Sequence, residues 1–480
     1  MSEIPPPVTL EIDSEKIAWL TFDLPDSKVN LLSSDVMELL NRRLSELESR
    51  IATGNPIAVV VQSGKTDSFI AGAVLQEISA ISNPEVGRSK SAEGQRILRR
   101  LDRLTVPTIA AISGICLGGG TELALCCDWR VGSDRSQTKI GLPEVRLGII
   151  PGFGGSVRLP RLIGIRRALN MILTSKTISS KKALRWGLLD RAFHSDSFKM
   201  EVRAFAMRVV RGKENWAPRK IAFRDRLLEN TGIGRQMIFK GARKQVLKKS
   251  KGRYPAPLEA ISVVEQTLDL QIDEALSIEA EVAGRMIVTD VSKNLIRLFL
   301  LGQGAKKALS PEMLSQARNV SKAAVLGAGV MGAGVAELIA VHDVPVILKD
   351  IDDDALAVGL QHARELLDKA GEAKVFPAHE AALKFALIHG TLGYEEFNNV
   401  DLVVEASVER MPVKKNILRE TEEVLPEHAV FATNTSSLSV TELAQMAERP
   451  RDVVGMHFFN PVHKMPLVEI VRTELSSDAS

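Results

Sequence analysis

Between Lys322 and Asp350 the chain leaves little architectural choice. Ala323–Leu326 is an apolar run of strand length, and Gly327-Ala-Gly329-Val-Met331-Gly332 follows it directly. Met331–Val341 continues as a helix candidate, and Val344–Leu348 reads as a second strand. Such a glycine turn lets a strand reverse tightly into a helix and lets a pyrophosphate approach the helix N-terminus. An isolated GxGxxG is weak evidence, but here it sits between a strand and a helix, with an acid at the end of the next strand. That acid, Asp350, is suited to accept hydrogen bonds from both hydroxyls of an adenosine ribose and to repel a 2′-phosphate. The stretch therefore predicts a Rossmann-type unit that binds NAD rather than NADP.

A second constellation lies in the first half. Ile112-Ser-Gly-Ile-Cys-Leu-Gly-Gly-Gly-Thr-Glu122 is answered downstream by Gly141-Leu-Pro-Glu144 and by Pro151-Gly-Phe-Gly-Gly155. Two carboxylates beside a glycine-rich turn are the parts needed to add water across a polarised double bond. One takes a proton from water, the other delivers one to carbon, and bare N–H groups hold the enolate oxygen. Taken singly, Glu122 reads as an acid complementing a helix N-terminus and Glu144 as a surface acid after a proline. Around these motifs strand and helix alternate. Ile17–Leu24, Ile57–Gln62 and Thr108–Ile112 read as strands, and Val36–Leu47 as a helix with N-cap chemistry in Ser33-Ser34-Asp35. Thr121–Cys127 reads as a helix leaving the triple glycine.

A chain of 480 residues is too long for one core, so two or three domains are expected. The net charge of +3 gives no case for a nucleic-acid partner. The apolar stretches are broken by Gly, Pro or charge before membrane-spanning length, and the start resembles neither a signal nor a transit peptide. Cys116, Cys126 and Cys127 form no CxxC pair and have no neighbouring His. They read as reduced core thiols of a cytoplasmic protein, and no metal site is expected. From Lys199 to Leu301 the chain turns helical and charged, with basic runs at Lys213–Arg226 and Lys240–Arg253. The second run reads first as a solvated helix face. Its sharper alternative is an electrostatic guide for the phosphates of a charged substrate.

With these motifs on the page, residues 8 to about 300 resemble the enoyl-CoA hydratase (crotonase) superfamily. Residues 321–472 resemble the NAD-binding domain of 3-hydroxyacyl-CoA dehydrogenase. In this order the two are similar to the α subunits of multifunctional fatty-acid β-oxidation complexes. The resemblance implies an α/β protein in three parts: a crotonase-like domain of β-β-α spiral turns over 1–198, a helical extension and linker over 199–320, and a Rossmann-type domain over 321–480. It implies hydration of a trans-2-enoyl-CoA to the 3-hydroxyacyl-CoA and, in the full-length family, NAD-dependent oxidation to the 3-ketoacyl-CoA, which is expected to be impaired within these 480 residues, with enoyl isomerisation as a side activity. The alternative from another class is a non-catalytic subunit that binds acyl-CoA or NAD, or scaffolds a thiolase. The partners implied are an acyl-CoA thioester and a thiolase β subunit.

Residue by residue, the resemblance makes Glu122 the base that orients water and Glu144 the acid that protonates the α-carbon. Ser68-Phe-Ile-Ala-Gly-Ala73 matches the first donor loop of the oxyanion hole, so the amides of Ala73 and Gly119 are its expected donors. Val74 stands where the family commonly has Asp. The Pro151–Gly155 turn is expected to do no more than cap the helix after it. In the second half, His457 matches the general base and Glu469 its carboxylate partner. Ser436 and Asn460 match groups that hold the substrate oxygen or the His. Glu409 and Lys414 join Gly327, Gly329, Met331, Gly332 and Asp350 as cofactor-binding residues. In the family a helical region follows the strand at Val468–Arg472. The resemblance therefore implies a whole NAD pocket and an incomplete dehydrogenase substrate site within these 480 residues.

Overall fold

A computed structural model describes residues 5–214, 228–307, 310–317 and 319–480. The basic run Lys213–Arg226 lies outside the described residues from position 215 onward. The chain divides into two compact units, Met1–Gly304 and Ala305–Ser480. The division falls inside the segment expected as extension and linker, and the helices before residue 304 belong to the first unit.

In the first unit the chain repeatedly lays one strand in each of two sheets and then a helix. The passes are Ala58–Ser63, Ser68–Ile70 and helix Pro84–Asp102; then Thr108–Ile112, Ile115–Leu117 and helix Gly119–Leu125; then Trp129–Ser133, Lys139–Gly141 and helices Gly155–Ile163 and Ile165–Thr174. These are the β-β-α turns that the resemblance implies. The larger sheet has six strands, in the order Val8–Ile12, Ile17–Phe22, Ala58–Ser63, Thr108–Ile112, Trp129–Ser133 and Arg191–Phe193. Ile17–Phe22, Ala58–Ser63 and Thr108–Ile112 read as largely apolar runs because both faces are covered. Val59 and Val61 point into the main core with Leu40, Leu44 and Leu98, while Val60 packs with Trp129 and with Phe205 of helix Phe198–Val210. Helix Ser34–Ala52 starts where its capping residues predict, with Ser33 Oγ accepting the Val36 amide at 3.2 Å.

The smaller sheet positions the chemistry. Ser68–Ile70, Ile115–Leu117 and Lys139–Gly141 run parallel, with a shift of register between Ser68 and Ile70, so their C-terminal ends lie along one edge. The loop carrying Ala73, the triple glycine and the loop to Glu144 all leave from that edge. Downstream, among the described residues, the segment 198–307 holds helices and no strand. One of them, Ile272–Ile287, lies along Pro84–Asp102 with the chains close enough that a methyl on Gly87 would sit 3.0 Å from Gly284 Cα.

The second unit is one seven-stranded sheet ordered Ile388–Thr391, Val346–Lys349, Ala323–Leu326, Leu402–Glu405, Val430–Thr433, Val453–Phe458 and Val468–Val471. Six strands are parallel and the last is antiparallel. The order reverses direction beside Ala323–Leu326, which is the doubly wound arrangement, and ligands bind outside the strand ends at such a switch point. Alternate residues of that strand serve opposite cores, Ala323 and Val325 on one face and Ala324 and Leu326 on the other. No described helix is long and apolar enough to cross a membrane.

Candidate active sites

Four loops of the first unit converge around two buried carboxylates. Glu122 lies in the first turn of helix Gly119–Leu125 and is 3% exposed. Its Oε1 accepts the amides of Phe153 at 2.7 Å and Gly155 at 2.8 Å. Glu144 opens a 3-10 turn, Glu144–Leu147, and its Oε2 is buried with no hydrogen-bond partner among the described residues. Gly118, at φ +52°, joins the parts: a methyl there would lie 3.1 Å from Glu144 Oε1 and 3.7 Å from Gly72 Cα. Gly119, the first residue of its helix, has an amide that no intrahelical carbonyl can accept. Gly72 and Gly118 therefore meet beside the carboxyl of Glu144. Val74, the departure from the family pattern, is the N-cap of the short helix Leu75–Ala80 and offers it no side-chain hydrogen bond.

The Pro151–Gly155 turn does more than cap a helix. Its amides point alternately at two carboxylates, Phe153 and Gly155 to Glu122, Gly154 and Ser156 to Glu279. Glu279 is a third, fully buried acid, carried by helix Ile272–Ile287. The sequence held a signal for it: Glu279 occupies the buried stripe of that helix with Ala275, Leu276, Ala280 and Ala283. An acid at a core register is owed a partner.

Burial is the leading influence on all three acids. It pushes Glu122 up to about 7, against the pull of the Gly155 and Phe153 amides and of Arg158. Glu144 is raised well above the carboxyl range by burial and then by the negative charges of Glu122 and Glu279. Burial and the charge of Glu122 raise Glu279 to about 8, opposed by hydrogen bonds from Ser156, Gln95 and Gly154. Glu122 is held by two backbone amides that donate to its Oε1. Glu144 has no donor on its Oε2 among the described residues.

In the second unit a cleft of about 320 Å³ is lined by Met331, Ser407, Glu409, Asn434, Ser436, His457 and Asn460, among others. His457 and Glu469 face each other across the antiparallel pair Val453–Phe458 and Val468–Val471, with His457 Nδ1 2.8 Å from Glu469 Oε2. That leaves Nε2 as the nitrogen available to a ligand. Asn434, to which the sequence reading gave no role, accepts the Phe458 amide at 2.8 Å and so braces the His457 strand from the neighbouring loop. Glu409 accepts the Thr435 hydroxyl at 2.6 Å and the Ser436 amide at 2.9 Å. Burial raises its carboxyl, but these donors and Lys414 outweigh that and hold it low.

Lys414 does not line the cleft. It is buried beneath, its ammonium 2.9 Å from both oxygens of Glu405 and 3.5 Å from Glu409 Oε2. Glu405, fully buried at the end of its strand, was not singled out in the sequence. It also accepts the Thr433 hydroxyl at 2.7 Å and the Ser407 amide at 2.8 Å.

The glycine turn fits a dinucleotide. Gly327 stands at φ +99°, and a methyl on Gly332 would overlap the Gly327 carbonyl oxygen. Gly329, by contrast, faces open space with nothing within 4 Å of its missing side chain, beside the N-terminus of helix Val330–Val341. Asp350 accepts the Ala328 amide through Oδ2 and the Ile351 amide through Oδ1, both at 2.6 Å, so it also pins the turn. Each oxygen retains a lone pair for a ribose hydroxyl. Among the described residues no group of three or more His, Cys, Asp or Glu could hold a metal ion.

Known proteins resemble this chain in the same two segments. The profile of the enoyl-CoA hydratase/isomerase family matches residues 13–234, and that of the 3-hydroxyacyl-CoA dehydrogenase NAD binding domain matches residues 322–480. The fatty acid oxidation complex subunit alpha of Shewanella amazonensis is 40% identical over 462 residues, covering 96% of this chain and 64% of that protein. Its counterpart in Vibrio parahaemolyticus is 34% identical over 471 residues, covering 98% of this chain and 66% of that protein. Among solved structures, the enoyl-CoA hydratase of Bacillus anthracis is 26% identical, with a TM-score of 0.39, over 56% of this chain and 99% of that one. The chain thus spans under two thirds of the length of the first of these relatives.

Proposed function

Because the chain belongs to the family of fatty acid oxidation complex α subunits, an enoyl-CoA hydratase/isomerase domain joined to a 3-hydroxyacyl-CoA dehydrogenase NAD binding domain, we propose that it carries out two consecutive steps of fatty-acid β-oxidation. The first unit adds water to a trans-2-enoyl-CoA. Glu122 takes a proton from water as its oxygen bonds to C3. The electrons of the double bond move onto the thioester oxygen, where the amides of Ala73 and Gly119 receive the charge. Glu144 then protonates C2. One such amide donor lowers the barrier by about 2.7–4 kcal/mol in other enzymes. The observation that carries this reading is the contrast between two buried acids at one sheet edge: Glu122 is held by two amides, and Glu144 has an unpartnered oxygen. Glu144 serves equally to move a proton between carbons, which supports enoyl isomerisation as a side activity.

The second unit oxidises the 3-hydroxyacyl-CoA. His457 Nε2 takes the hydroxyl proton, and Glu469 stabilises the imidazolium through Nδ1. Ser436 and Asn460 line the cleft where the substrate oxygen is held. NAD, when bound, accepts the hydride. Gly327, Gly329 and Gly332 would receive its pyrophosphate, Asp350 its adenosine ribose, and Met331 and Glu409 its nicotinamide side. Lys414 acts from below by neutralising Glu405 and Glu409. The expected partner is a thiolase β subunit, tested by co-purification. Three buried free thiols support a reducing compartment, the cytoplasm.

The experiment is an assay of the purified chain with crotonyl-CoA, following loss of the conjugated thioester, and a calorimetric titration with NADH. Hydration and NADH binding are expected. Binding of crotonyl-CoA without turnover would replace the hydratase reading with that of a non-catalytic acyl-CoA-binding subunit.

A further inference from the structure

Glu279 lies beyond residue 234, where the enoyl-CoA hydratase/isomerase match ends, yet it is built into the same site. Its Oε2 accepts the Gly154 amide at 2.6 Å and the Gln95 amide nitrogen at 3.1 Å, and its Oε1 accepts the Ser156 amide at 2.8 Å. Gln95, on helix Pro84–Asp102, also donates to the Gly152 carbonyl at 3.1 Å. All three groups that reach Glu279 are donors, and its two carboxyl oxygens accept them together, whereas an amide side chain would turn its NH₂ toward one of the N–H groups. No cation pairs with Glu279 among the described residues. The nearby Arg158 is engaged by Asp102 at 3.2 Å, and Arg99 by Asp102 and Asp273. The charged groups it faces are Glu122, on helix Gly119–Leu125, and Glu144, on the 3-10 turn.

We propose that Glu279 is a positioning residue for hydration: it clamps the Gly152–Ser156 turn so that the Phe153 and Gly155 amides stay on Glu122, and, once ionised, it biases the transferable proton toward Glu144. The reasoning is geometric. Four consecutive amides alternate between two carboxylates, so Glu122 can be no better placed than the turn, and the turn is held from the opposite side by Glu279. A neutral residue could anchor part of the turn, but it would not act on the protonation of the acids. The proposal rests on the hydratase reading of the first unit.

The test is Glu279→Gln, assayed with crotonyl-CoA across pH beside the wild type. Expected are a fall in kcat of about 10–100-fold with a KM changed less than about threefold, and a downward shift of the alkaline limb of the kcat pH profile by about one pH unit, since there Glu279 is ionised and removing its charge eases ionisation of its neighbours. Gln95→Leu, which cuts one tether and leaves the charge, is expected to lower kcat without moving the profile. If Glu279→Gln does not fold, Glu279→Asp decides: charge kept and reach shortened, it should lower kcat with an unshifted profile. Wild-type kcat and an unmoved profile in Glu279→Gln, or wild-type kcat in Glu279→Asp, would overturn the proposal while the hydratase reading stands. A wild-type chain that does not hydrate crotonyl-CoA removes the hydratase reading itself.

Discussion

Glu122 and Glu144 share burial and differ in what touches them, and the proposed division of their work rests on that difference. Glu122→Gln and Glu144→Gln should each lower crotonyl-CoA hydration by about 10²–10⁴-fold, because each removes one proton transfer. Circular dichroism should show both variants folded, and near wild-type turnover in either would remove that residue from the mechanism. Glu144 also makes a stability statement. Its folded-state carboxyl is raised well above the ordinary 4.5. Above 4.5 the folded chain therefore binds more protons than the unfolded one, and the group's contribution is lost as pH rises from 4.5 through the raised folded-state value. Melting temperatures of Glu144→Gln and wild type should lie close together at pH 5, and the variant should gain by a few °C at pH 8. A constant difference across pH would contradict the raised carboxyl. At this scale the sequence marked Glu122, Glu144, His457 and Glu469 by motif. It could not show that Lys414 is sealed against Glu405, because that pair forms between a strand end and a helix.

Single turns carry the argument at the scale of elements. Two glycines of one motif have different reasons to be glycine. Gly332 is needed by the fold, since a methyl there overlaps the Gly327 carbonyl, whereas Gly329 has room for one. Gly332→Ala should therefore destabilise the second unit, by about 1–3 kcal/mol for an overpacked site, and lose NADH affinity with it. Gly329→Ala should keep the melting temperature, since its φ of −65° suits any residue, and still weaken NADH where the pyrophosphate approaches. Equal effects of the two substitutions on melting would show that the open space at Gly329 is not real. The Pro151–Gly155 turn teaches the converse. Read along the chain it is a helix start, and only the approach of Glu122 and Glu279 from two other helices turns its amides into the clamp of a carboxylate pair.

Over the whole molecule, two units with separate hydrophobic cores predict separate responses to ligand. A saturating ligand stabilises only the fold that binds it, by about 2.7 kcal/mol at 100 times its Kd. NADH should raise one calorimetric transition and leave the other in place, and NADPH should do so only at much higher concentration because Asp350 opposes a 2′-phosphate. Equal affinity for both cofactors would sink that role for Asp350. The sequence by itself determined the two α/β classes, their order, and the elements whose signals are local. Strand Ala323–Leu326, the glycine turn and the cap at Ser33 all follow from periodicity and backbone sterics within a few residues. Tertiary structure alone decided which amides meet which acids. Glu279 stands 157 positions from Glu122 in the chain, and helix Ile272–Ile287, whose pattern reads only as an apolar stripe, brings it to the turn by closing on Gly87. Partners that distant are chosen by packing, which no window of sequence contains.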